Sequence, residues 1–206
     1  MDSIYRQRFI ESQYINFYPY IGDNYCNSLP KILILGHSHY GPQEWDSDHE
    51  LTIDTITDHI DKVLETGRAY RWSRCYRNIG AVLAGKGYYH SNDMWLQLAF
   101  FNFFQKNVGS TASDKSHITQ ELIEQSQKAF FEIIDIIHPN VVIVWGDELW
   151  YKYMPQESWQ WIDEPRYIGK YDQFPATLIW KSVHPARRYN IDEVRGQWLE
   201  VLPYVK

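Results

Sequence analysis

The chain has only two cysteines, Cys26 and Cys75, and they lie far apart. That excludes a disulfide framework and a four-cysteine zinc or iron–sulfur site. No apolar run is long enough to cross a bilayer and no signal-peptide pattern is present, so a soluble, cytoplasmic protein without a membrane partner is expected. Internal repeats and low-complexity linkers are absent. One domain over residues 1–206 is therefore expected, with 1–30 as an N-terminal extension packed on it, in a monomer. Positive charge is not in excess either: 20 Lys and Arg stand against 26 Asp and Glu, a formal net charge of −6. This argues against a broad phosphate-binding surface and leaves room for local ones. The basic residues are uneven, with Arg68, Arg71, Arg74 and Arg77 close together, and Lys181, Arg187, Arg188 and Arg195 forming a second group. The first group reads as a solvated helix face, with phosphate binding as the alternative role. His37 and His39 flank Ser38 and could, with His184, hold a metal, yet no acidic residue completes a ligand motif. No metal and no organic cofactor are expected.

What the sequence does have is rings. Nine Trp and sixteen Tyr exceed the needs of a core, which predicts a mixture of buried aromatics and rings lining a site. It also has four apolar runs that read as strands buried on both faces: Lys31–Leu35, Leu96–Phe104, Val141–Trp145 and Thr177–Val183. Gly36 and Gly146 follow two of them directly. Between the strands, helices are predicted. One carries Ile53, Ile56, Ile60, Val63 and Leu64 on a face, opened by a capping box over Ser47–Glu50 and ended by Gly67. Others cover 70–83 and 118–138, the latter stopped by Pro139. A short one lies around 149–153 with Asp147 as N-cap, and a last one is capped by Asn190. Residues 155–175 read as irregular. The alternation predicts an α/β fold: a three-layer α/β/α sandwich around a central, mostly parallel four-stranded sheet. In such sheets ligands sit beyond the carboxyl ends of the strands, which puts Gly36–Pro42 on the floor of a site.

Four pieces in order resemble the uracil-DNA glycosylase superfamily: Gly36-His-Ser-His-Tyr40 after the first strand, Asn102 at the end of the aromatic strand, Gly146 after the third, and His184-Pro-Ala-Arg-Arg-Tyr189 after the last. Their order and spacing cover most of the chain, from about residue 30 to 204. The resemblance implies a DNA glycosylase that flips a uracil-like or modified pyrimidine out of DNA and hydrolyses its N-glycosidic bond. It implies that His184 donates a hydrogen bond to the departing base, that Asn102 reads the pyrimidine edge, and that Ser38 with the backbone of Gly36, His37 and His39 holds the water. Tyr40 would wall the pocket, Trp45 or Phe101 would stack on the base, and Arg187, Arg188 and Tyr189 would hold DNA. The chain departs from the family where Ser38 replaces the acidic residue of the most active members and His39 replaces a proline. Two other readings stay open. One is a module that binds a nucleobase, nucleotide or DNA without cleaving it. The other is a hydrolase dependent on Ser38 or a metal, although Gly36-His-Ser-His-Tyr40 lacks the second glycine of a nucleophile elbow.

Overall fold

The computed structural model describes residues 3–85, 91–186 and 189–205. The four apolar runs form parallel strands, as their two-faced burial requires: β2 (Ile32–Gly36), β3 (Leu98–Asn102), β4 (Val141–Trp145) and β7 (Leu178–Ser182). They are not the whole sheet. Among the described residues the strand order is β1-β3-β2-β4-β7-β6-β5, a sheet of seven strands. The two-residue β1 (Tyr20–Ile21) pairs antiparallel with β3. The stretch read as irregular contains a hairpin, β5 (Trp159–Asp163) and β6 (Ile168–Tyr171), which extends the other edge antiparallel to β7. The expected four-stranded sheet is thus corrected to a seven-stranded mixed one with a four-stranded parallel centre. The edge strands escaped because one is too short to show a period and the other lacks a buried face: Gln160, Trp161 and Ile162 are all exposed.

Alternation along each central strand sends Ile32 and Ile34 to one face, and Leu33 and Leu35 to the other. Helices bury both faces. The first face meets α2 (Leu51–Thr66), α3 (Arg74–Ala84), α4 (Ser91–Trp95) and α7 (Ile191–Val201). The second meets α1 (Ser3–Glu11), α5 (Gln120–Ile137) and α6 (Asp147–Lys152). Among the described residues no helix is long and apolar enough to cross a membrane.

Local chemistry sets the helix ends. Thr119 caps α5, its hydroxyl accepting from Leu122 N–H at 3.1 Å, and Asn190 caps α7 by accepting from the N–H groups of Asp192 and Glu193. Gly67 ends α2 in the left-handed conformation. Two expected caps do not form. Ser47 turns its hydroxyl to the Glu44 carbonyl inside a preceding 3-10 turn, so no capping box opens α2. Gly146 is the N-cap of α6, while Asp147 accepts from Lys181 Nζ at 2.5 Å. The buried face of α2 is also rotated from the expected one: Thr52, Ile56 and His59 are inside, whereas Leu64 is 72% exposed.

The aromatic density supports the second face, where Phe130 is fully buried against Phe131 and Tyr171. Phe130→Ala is expected to lower the unfolding free energy by about 3–5 kcal/mol. Leu64→Ala is expected to change it by less than about 0.5 kcal/mol. Urea titration of both variants checks the pair, and equal effects would contradict the assignment of core and surface.

Candidate functional site

Four chain segments converge beyond the carboxyl ends of the parallel strands. They enclose a cleft of about 710 Å³, within the range of small-molecule sites. Its floor and walls include Gly36–Tyr40, Trp45, Phe100, Asn102, Trp145 and His184, with Asp54 and Asp58 from α2 and Trp72 and Tyr76 from the α3 side. The turn after β2, the amide after β3 and the histidine after β7 therefore open into one space.

Two missing side chains make this possible. Gly36 and Asn102 are register partners at the ends of adjacent parallel strands. A Cβ at Gly36 would collide with Asn102 Oδ1 and with the Phe100 ring, so only glycine lets the amide lie across the strand end. Gly146 sits at φ 86°, ψ 161°, a conformation essentially reserved for glycine, and a Cβ there would come within 3.1 Å of His184 Cβ. Its N–H donates to the Ser182 carbonyl at 2.8 Å, which fixes the chain just before His184.

Each polar group is oriented by a partner. The Ala186 N–H donates to His184 Nδ1 at 3.2 Å. That bond requires the lone pair to be on Nδ1, so the neutral ring carries its proton on Nε2. Crowding by its neighbours, reinforced by the Lys115 charge, holds the His184 pKa below the usual histidine range. At neutral pH the ring is an N–H donor without charge. Asn102 Nδ2 lies 3.0 Å from His39 Nε2, and Thr52 Oγ1 lies 2.8 Å from the same nitrogen. Burial lowers the His39 pKa to about 4, so the ring stays neutral and can accept from the Asn102 amide. His39 thus backs the amide. Ser38 Oγ is 2.7 Å from His37 Nδ1, and the His37 ring packs against Phe104 and Tyr153. Its pKa is likewise about 4, through burial first and the nearby Lys115 second.

Of the aromatic residues expected at the site, Tyr40 and Trp45 line the cleft, and Lys115 Nζ donates to Tyr40 Oη at 3.4 Å. Phe101 does not. Its ring is buried on the opposite face of the sheet with Leu33 and Leu35, and Phe100 takes the place given to it. Adjacent residues in a strand face opposite ways, and a run apolar on both faces conceals which is which. Trp145, with its ring centroid 6.0 Å from that of His184, was likewise not foreseen, although it stands directly before Gly146. Tyr189 is half-buried against the core and does not line the cleft. Arg187 and Arg188 lie outside the described residues. Asn78 Nδ2 donates to the Pro185 carbonyl at 2.8 Å, tying α3 to the histidine-bearing loop.

The geometry of a serine hydrolase is incomplete. Glu148 Oε2 is 3.9 Å from His37 Nε2, beyond hydrogen-bond range, and Lys115 and Lys152 both pair with that carboxylate. Among the described residues no group of three or more His, Cys, Asp or Glu side chains is placed to hold a metal ion.

Two predictions follow from these contacts. His37, His39 and His59 are each held near a pKa of about 4 by burial. The unfolded chain binds protons at these positions below about pH 6.5, while the native chain does so only near pH 4. Stability should therefore fall as pH drops from 6.5 to 4, by up to about 1.4 kcal/mol per pH unit for each group. Urea midpoints at pH 7, 6 and 5 test this, and a flat profile would refute it. Gly146→Ala should cost about 1–3 kcal/mol of stability from backbone strain, measured in the same titration. No family model matches the chain, and no curated protein matches it, so the cleft itself is what speaks for its chemistry.

Proposed function

We propose that the protein is a DNA glycosylase that removes a uracil-like or modified pyrimidine from DNA without a metal or organic cofactor. The observation that supports this reading is the shared cleft, whose lining includes His184, Asn102 and Ser38 together with aromatic side chains. Breaking an N-glycosidic bond leaves positive charge on the sugar and negative charge on the departing base. A fixed N–H donor at the base carbonyl stabilises that negative charge as it forms, and it needs no solvent rearrangement to do so. His184 Nε2–H would serve in this way. An amide can both accept from a ring N–H and donate to a ring carbonyl, which suits a pyrimidine edge. With Nδ2 held toward His39, Asn102 offers Oδ1 and its second N–H. Ser38 would hold the attacking water with His37 Nδ1 behind its hydroxyl. Phe100 and Trp145 take the stacking role, and the base must be flipped from the stack to reach them.

A second reading keeps the same pocket for binding alone. It is favoured by Ser38, a hydroxyl at the position where a carboxylate would activate water more strongly. Released base separates the two.

Labelled oligonucleotides carrying uracil, thymine mismatches or modified cytosines, treated with the protein and then alkali, should show cleavage at one of them. His184→Ala should lower that rate about 10²–10³-fold, the usual effect of losing one transition-state donor. Asn102→Ala should weaken discrimination between bases while the fold is kept. Cleavage of none of the substrates would overturn the catalytic reading, and full activity in both variants would overturn the residue assignment.

A further inference from the structure

The arginine cluster that reads as a plain solvated face has a second property in the structure. In the connection between α2 and α3 the rings of Tyr70 and Trp72 stack in parallel, with centroids 5.4 Å apart and planes 12° apart, and Lys62 Nζ lies over the Tyr70 ring 5.1 Å from its centroid, so Tyr70 backs Trp72 and Trp72 is the ring turned toward the cleft. They are 40% and 52% exposed. Arg68, Arg71 and Arg74, all exposed, alternate with them. In a chain with net charge −6, the run from Gly67 through Asn92 contains no Asp or Glu. Trp72 also belongs to the lining of the cleft, as do Tyr76, Asp54 and Asp58. Single exposed aromatics are ordinary. Two rings held parallel among three arginines, with Trp72 also lining the cleft, are not.

We propose that residues 67–74 form a stacking platform for unpaired nucleotides flanking the base in the cleft, which makes single-stranded DNA the preferred ligand. The inference rests on the proposed function and narrows its substrate class. A π-face binds any base that is not already stacked on a neighbour, so the rings select an open strand over a duplex. The arginines balance the phosphates of that strand locally. Asp54 and Asp58 of α2 repel phosphates, so the strand's backbone runs along the arginine-bearing side.

The test is fluorescence anisotropy of the full chain with a labelled thymidine 12-mer, single-stranded or annealed to its complement, over a range of salt. The single strand should bind on the order of tenfold more tightly than the duplex, and the double variant Tyr70→Ala with Trp72→Ala should lose that preference. Trp72→Phe, which keeps a ring, should retain most of it and guards against a misfolded double variant. Replacing Arg68, Arg71 and Arg74 by Ala should flatten the salt dependence, by about 2 in the slope of log K against log salt. Equal affinity for the two forms, or a double variant that binds like the parent, overturns the platform even if the parent releases base. If no oligonucleotide loses its base but single-strand binding still depends on Tyr70 and Trp72, the platform stands and the catalytic reading falls.

Discussion

The site depends on atoms that are not there. At the ends of β2 and β4 the chain needs positions with no Cβ, because the space one would fill is taken by the amide of Asn102 in one case and approached by His184 in the other. Each glycine serves a neighbouring strand: Gly36 on β2 makes room for the residue that ends β3, and Gly146 after β4 for the residue that follows β7. Parallel pairing supplies the registration. Since the four central strands all end at the same edge, four short segments distant in sequence can share one hollow.

Burial then sets the electrostatics. His37 and His39 sit where desolvation penalises charge, so both remain neutral through the physiological range and act as fixed hydrogen-bonding groups. Lys115 adds to this by disfavouring protonation of His37 and His184, while its own charge is balanced by Glu148 at 3.5 Å. The floor of the cleft is thus polar but uncharged, and its charged groups, Asp54 and Asp58, stand on the exposed α2 wall.

How far the sequence discloses all this follows burial. The four central strands are legible because two-faced burial writes itself as an unbroken apolar run, and α5 and α7 because Pro139 marks the end of the one and Asn190 the start of the other. Gly36, Ser38, Asn102 and His184 are legible as strand-end residues, and they do share a cleft. The edge strands are not legible, since Trp159–Asp163 is largely exposed and carries no face to read. Nor is the choice between Phe100 and Phe101, because both sides of β3 are equally apolar and parity alone separates them. Trp72, Asp54 and Asp58 reach the cleft only through the packing of α2 and α3, which no local pattern encodes.

The amide that joins Asn78 to the Pro185 carbonyl gives α3 a mechanical part. A helix of three turns is stiff, and this one works as a strut braced at one end by the tryptophan-bearing turn and along its length by the loop carrying His184. A kink in the strut would displace the imidazole without any atom of the imidazole having been changed. The tolerance of the cleft's geometry to substitution is therefore decided partly inside a helix that lends the cleft Tyr76 and otherwise turns its buried face to the core.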